Sequence, residues 1–491
     1  MDLYHFLSHS DLGSSVQGQA SSSWGWTDPE SKREFVAIGQ FDGTAFVEVS
    51  SAGKMIYLGR LPTWDAIGAR WREIRVIEKQ NLLVVGSEAF AHGVQFFDLK
   101  KLLTLDPASP TTFSQNDLTS HWGMDARDPA KPWNTLPVGR THNIVINQDG
   151  GYAMAVGSVG GNVTHRVREN MPCNGGIIFL NTTDPYNVHS TGCAAGDFYV
   201  HDAECLTYHG PDKRYEGRDI CYGYNEDTIT IFDVTNKIGN TTTIISRTTY
   251  EGAQYIHQGA VLDKKNQEYL VMDDEYDEQR QDGVAANRLP TTHVFDIKDL
   301  ENPKLAGFHQ GKYRSIDHNQ YVIDNLVYQS NYGAGFTVVD VASIPKDPSG
   351  ESICEVGFFD IYPEDDEAEG GGVAAFVGTW SAYAYFKSGF IYVNTIARGS
   401  FIIKLTSKAC PKAPVCNADN CLRALRANTI PGRLEESQAF CASYTARKRT
   451  EVADVTKAYA KSACTADIGL VAQVSSACAC LPTATPRPAA P

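Results

Sequence analysis

Apolar and polar positions along the chain alternate in short runs rather than in helical stretches. One run recurs with an acidic end: VQFFDLKK (94–101), ITIFDVTN (229–236), HVFDIKDL (293–300) and FTVVDVAS (336–343). TAFVEVS (44–50), GIIFLNTTDP (176–185) and SFIIKL (400–405) follow the same pattern, so the segment occurs seven times. Each copy is preceded by a second apolar run: EFVAIGQ, LLVVGSE, YAMAVGS, DICYGYN, YLVMDDE, LVYQSNY or FIYVNTI. Before those lie WGW (24–26), WREIRV (71–76), HNIVIN (142–147), HDAECLTY (201–208), HQGAVL (257–262), HNQYVI (318–323) and WSAYAYF (380–386). Period-two alternation, β-branched and aromatic residues, and turn pairs such as Asp149-Gly150 and Asp324-Asn325 specify antiparallel strands. A fourth strand often follows, as in KMIYLGRL and PKLAGFHQ.

Seven repeats of three or four strands predict an all-β fold, a seven-bladed β-propeller over residues 1–408, with the first strand of each blade lining the central channel. The last blade lacks an outer strand, which the N-terminal LYHFLS is placed to supply. A small cysteine-rich, mainly helical module over 409–480 and a disordered Pro/Thr-rich tail over 481–491 are expected to follow.

Strands ITIFDVTN and FTVVDVAS resemble LVIVD repeats. The blocks HDAECLTYHGPDKRYEGRDICYGYNEDT, YIHQGAVLDKKNQEYLVMDDEYDE and DHNQYVIDNLVYQSNYGAGF resemble the secreted choice-of-anchor B family in its fungal form, over roughly residues 20–405. The resemblance implies a secreted or cell-surface propeller and brings no established reaction or catalytic residues. The tail segments CNADNCLRALRA, FCASY and CTADIGLVAQVSSACACL resemble the small cysteine-rich modules that end secreted fungal proteins. That pattern uses Cys416, Cys421, Cys441, Cys464, Cys478 and Cys480, leaving Cys410 over. The body likewise has one odd cysteine, Cys354, and a Cys354–Cys410 bridge is expected. The other body cysteines are expected to pair locally, as Cys173–Cys193 and Cys205–Cys221. For the latter, a hairpin placing Tyr208 opposite Arg218 also places Cys205 opposite Cys221.

Twelve cysteines and the sequons at Asn162, Asn181 and Asn240 predict a glycosylated protein of an oxidising compartment, secreted or at the cell surface. The opening MDLYHFLSHSDLG has neither a basic n-region nor an apolar h-region and is not read as a signal peptide. The net charge of −15, from 43 basic and 58 acidic residues, argues against nucleic acid and anionic membrane as partners. No apolar run is long enough to predict a transmembrane segment. The chain is expected to be a monomer that meets an extracellular glycan or cell-wall polymer.

Hairpin register also places the chemistry. It sets His142 opposite Gly157, His201 opposite Asn225, His257 opposite Asp273 and His318 opposite Asn331. In a propeller, the start of the first strand and the turn between the second and third share one face. Four imidazoles from consecutive blades therefore open one mouth of the channel, near Glu226, Asp227, Asp273, Asp274 and Glu275. Trp24, Trp71 and Trp380 are expected at the equivalent point of the other three blades. Neutral imidazoles suit a divalent transition metal, with two or three of His142, His201, His257 and His318 as ligands beside Asp273. His201, His257, Asp274, Glu275 and Arg72 are the candidate catalytic groups. Trp24, Trp71, Trp380 and Arg398 are candidates for holding a sugar substrate. Each residue also has a structural alternative: the imidazoles as inter-blade hydrogen bonders, the tryptophans as channel packing.

MDDEYDE clusters hard oxygen ligands but lacks the spacing and central glycine of an EF-hand loop, so a solvated acidic turn serves equally well. Without a P-loop, a G-x-S-x-G elbow or an H-E-x-x-H helix, no nucleotide or organic cofactor is expected. These features predict metal-dependent lyase or hydrolase chemistry on a polysaccharide, with a non-catalytic lectin-like propeller as the alternative.

Overall fold

The acidic residue that ends four of the third strands has a local cause. Asp98, Asp233, Asp296 and Asp340 each accept, through Oδ1, the amide of the residue two positions on, at 2.9–3.0 Å. Asn181 does the same for Thr183 at 3.0 Å. These Asx turns end a buried strand and reverse the chain without leaving an amide unpaired.

In the computed structural model, the strands assemble into seven antiparallel sheets, one per repeat, each with its first strand innermost. The described residues are all but 17, 124–130, 137–138, 159–171, 409, 411–419, 428, 446–454, 465–468 and 482–491. Two compact units result, Met1–Cys410 and Pro411–Pro491. The first is a seven-bladed β-propeller. Its ring closes through the N-terminal strand Asp2–Leu7, which pairs antiparallel with Ser400–Lys404 and completes blade seven. Blade one carries an unforeseen fifth strand, Thr111–Thr112, added in parallel to Met55–Pro62.

Core residues pack between adjacent blades. Leu206, Ile220, Ile231, Leu270 and Phe295, for example, join blades four and five in one buried cluster. Each such residue removes apolar area from water at roughly 25 cal/mol per Å², so the interfaces between blades carry the stability.

Cys205 lies directly opposite Cys221 and is bonded to it, with Cα atoms 4.1 Å apart. Cys173 is bonded to Cys193, and Cys354 to Cys410, the last residue of the first unit. The second unit is built on helices Asn420–Arg426, Arg433–Thr445, Ala458–Ala463 and Leu470–Ala479. Cys421–Cys464 and Cys441–Cys478 staple them around Leu422, Leu425, Phe440 and Val474. Cys416 and the expected disordered tail from 482 onward lie outside the described residues. Among the described residues no helix is long and apolar enough to cross a membrane.

Candidate metal centre at one mouth of the channel

Every inner strand enters the channel at its N-terminal end, so the residue at that point faces the axis. His142, His201 and His318 immediately precede or stand just before strands Asn143–Asn147, Asp202–Thr207 and Gln320–Ile323. The registers around all three agree with the sequence expectation. Gly157 shows what this costs in side chain. It has φ +63°, and a Cβ there would stand 2.4 Å from the His142 Cβ, so only glycine leaves room for the ring.

His257 departs from the expected register. Ile256 pairs with Asp274 and Gln258 with Asp273, so His257 is an extra residue in a β-bulge. The bulge does not carry its ring away from Asp273: His257 Nδ1 lies 2.8 Å from Asp273 Oδ1.

The side chains form a continuous arc. Ring centroids are 4.4 Å apart for His142–His201, 4.4 Å for His201–His257 and 4.5 Å for His257–His318. His318–Trp380 follows at 4.3 Å, and Trp380 stacks on Trp71 at 4.4 Å. Trp24 is not part of this arc. Its strand begins at Ala20, so Trp24 falls mid-strand and lines a different cavity with Arg75, Glu204, Tyr321 and Tyr385.

All four imidazoles are held by Nδ1. The acceptors are Glu88 Oε1 for His142 (2.5 Å), the His257 carbonyl for His201 (3.0 Å), Asp273 for His257, and the Trp380 carbonyl for His318 (2.9 Å). Carbonyls and carboxylates cannot donate, so each Nδ1 carries a proton, and wherever the ring is neutral Nε2 keeps a lone pair. His318 Nε2 is shielded from water without a hydrogen bond and lies 3.6 Å from Glu275 Oε1. Nitrogens of His257 and His318 and an oxygen of Glu275 lie within 4.8 Å of one another, close enough to hold one ion. Two imidazoles and a carboxylate suit a borderline divalent metal such as zinc, and Asp273 orients a ligand from behind rather than joining the trio.

The electrostatics agree with neutral imidazoles. Burial lowers His201 and His257 well below the usual histidine range, and neighbouring imidazoles lower them further. Burial takes His318 down to about 3. His142 is the exception: burial opposes its charge, yet the Glu88 hydrogen bond and charge raise it overall. Burial pushes Glu275 up to about 7, against the hydrogen bond that Tyr332 donates at 2.5 Å.

These groups open on a cavity of about 260 Å³, near the small end of ligand pockets. Its walls include Trp71, Trp380, Tyr255, Tyr276, Tyr332 and Phe376, with Arg70 and Glu88 at the edge. Arg70 lies over the Trp71 ring, 5.0 Å from its centroid. Tyr199, Tyr255, Tyr276, Tyr332, Phe376, Arg70 and Glu88 went unmarked in the sequence. Only Glu88 left a signal: it follows the second strand of blade two, as Glu275 follows that of blade five.

Several candidate residues stand elsewhere. Arg72 is buried against the Gln40 and Phe41 carbonyls and His92 Nε2, where it ties blades together. Asp274 accepts from Tyr250 Oη, Gln254 N and Tyr255 N, at 2.6–2.7 Å, and so positions the loop that carries Tyr255. Arg398 pairs with Glu364 and lies over Tyr362, outside the pocket lining. Glu226 and Asp227 do not line the pocket. Asn240 is exposed and Asn181 half-buried, while Asn162 lies outside the described residues.

In comparison with known proteins, no protein-family model matches the chain and no curated protein matches it.

Proposed function

We propose that the axial pocket is a metal-dependent active site acting on an extracellular carbohydrate, by elimination or hydrolysis. The observation that carries this reading is the common orientation of four imidazoles from successive blades, each with Nδ1 fixed, which leaves Nε2 of the neutral His201, His257 and His318 as an acceptor. His257, His318 and Glu275 would hold a divalent ion, which when bound supplies a Lewis acid for a substrate carboxylate or carbonyl.

The chain's own groups supply the rest. Trp71 and Trp380 offer an aromatic wall for a sugar ring, and Arg70 a cation at the rim for a uronate. His201, neutral and outside the trio, offers its Nε2 lone pair to accept a proton from a sugar carbon or from water, and the Tyr332 hydroxyl orients the Glu275 ligand. His142, paired with Glu88, is the imidazole placed to carry charge and return a proton to a leaving group. The cavity admits about one ring, which favours a chain end over the middle of a polymer. The disulfides suit an oxidising compartment, and the likeness of the third strands to LVIVD repeats supports secretion, with Asn181 and Asn240 as glycan sites.

Metal analysis of the purified chain, with a product screen on neutral and uronate polysaccharides, tests the proposal. Stoichiometric metal and product formation are expected, both lost in His257→Ala/His318→Ala. A chain that neither contains nor takes up metal removes this reading. Glycan binding without product would instead support a lectin-like propeller, for which the Trp71–Trp380 pair is the specific observation.

A further inference from the structure

The channel has a second chamber, at the mouth opposite the imidazoles. Its walls come from the middle and far end of the inner strands Arg72–Ile77, Asn143–Asn147, Asp202–Thr207, Ile256–Val261 and Gln320–Ile323, with Trp24 and Tyr385. Among the described residues, none lines both this chamber and the metal pocket. Gln258 and Gln320 close it on the side of the metal centre. Gln258 Oε1 accepts the Gln320 amide at 2.6 Å, and Gln320 Nε2 donates at 2.9 Å to Asp273, the carboxylate that holds His257. The chamber holds about 170 Å³, below the usual range for drug-sized ligands and suited to a single small ring.

Its charged groups are held in place by the fold. Arg75 pairs with Glu73, lies over the Trp24 ring 4.5 Å from its centroid, and donates through Nη2 to Tyr321 Oη at 3.4 Å. Glu204 accepts the Val261 amide at 2.7 Å and meets Lys264 Nζ at 3.3 Å. Asp202, 3 % exposed, accepts the Ala203 amide at 2.7 Å. Among the described residues no hydrogen bond engages Arg75 Nε or Tyr385 Oη, and neither atom is sealed from solvent. A ligand anion would face Asp202 and Glu204, and a ligand cation would face Arg75 and Lys264, so either charge is opposed. A neutral ring of hydroxyls suits donors and acceptors together, because each hydroxyl gives one hydrogen bond and accepts two. Trp24, Tyr321 and Tyr385, all half-buried, add aromatic surface for its C–H groups.

We propose that this chamber binds one neutral sugar ring, free or at the end of a glycan. Arg75 and Tyr385 donate to its hydroxyls, and Asp202 and Glu204 accept from them. Arg75, Asp202 and Glu204 are already fixed by their own partners, so little side-chain ordering opposes binding. The site does not rest on the metal-dependent reading of the axial pocket, because the two cavities open at opposite mouths and are lined by different residues.

The test titrates the full chain, by saturation-transfer NMR, with the methyl glycosides of glucose, galactose, mannose and N-acetylglucosamine, and with cellotetraose and maltotetraose. Saturable binding of at least one of these is expected, with a Kd of about 1 mM or tighter. Tighter binding of a tetrasaccharide than of its methyl glycoside identifies a glycan end as the ligand, and equal binding a free sugar. Tyr385→Phe/Lys264→Ala should weaken binding about 10-fold. The first change removes one hydroxyl and the second lies on an exposed turn, so the fold is kept, as circular dichroism would verify. Unchanged binding in that variant overturns the proposal by placing the sugar elsewhere. Binding of glucuronate or glucosamine in preference to every neutral sugar overturns it as well, and so does the absence of binding by all of them.

Discussion

Blades one and five each place a carboxylate in the connection after the second strand, yet the two have opposite fates. Asp42 of blade one receives the Arg60 guanidinium and the Ser15 amide and hydroxyl. Burial would raise it, but these donors outweigh burial and hold it down to about 2. Among the described residues no arginine or lysine pairs with Glu275 of blade five; it meets the Tyr332 hydroxyl and facing imidazoles, and burial pushes it up to about 7. The connection after the second strand can carry a carboxylate in either blade. What faces it decides whether it is a structural ion or a group ready for chemistry.

The sharpest way to break this contrast is to remove the imidazoles opposite Glu275. His257→Ala/His318→Ala should lower transition-metal affinity by at least about 100-fold, read by competition with a chromophoric chelator, while the β circular dichroism persists. Equal metal binding in that variant would show that the trio is not the site. Asp273→Asn tests the support behind His257 and should weaken the metal by about 10- to 100-fold, since an amide no longer fixes the tautomer as firmly.

Blade one should respond in stability instead. Arg60→Ala leaves Asp42 half-buried without its cation, and urea unfolding should show a loss of about 2 kcal/mol with metal binding unchanged. A smaller effect is expected from acid. Asp42 is depressed in the folded chain, so its contribution is present above the unfolded value near 4 and is lost as pH falls through about 2. With allowance for its exposure, this amounts to about 1–2 kcal/mol. Asp42→Asn should lack that part of the acid transition in a pH series of unfolding curves.

Much of this was legible in sequence because it is local. The third-strand signatures exposed the repeat through their terminal Asp98, Asp233, Asp296 and Asp340, each of which makes a turn with a residue two positions away. Simple hairpin arithmetic located His142, His201 and His318, and Cys205 opposite Cys221. The same arithmetic misplaced His257 by one residue because a bulge leaves no mark in apolar alternation. It misplaced Trp24 because an inner strand of eight residues can be entered at Ala20 as well as at an aromatic. Arg72 and Arg398 looked available because sequence shows a charge but not its partner.

By itself, then, the sequence determined the strand order, the seven-fold repeat, the ring closure by the N-terminus and the placing of imidazoles at blade entrances. Each of these follows from periodicity and short-range hydrogen bonding, which act over a few residues. Only the tertiary structure decided which polar groups are left without partners, such as Nε2 of His318 beside Glu275. The reason is physical. A partner can come from another blade, as Glu88 does for His142 and the Trp380 carbonyl for His318, and burial acts on whatever the completed ring encloses.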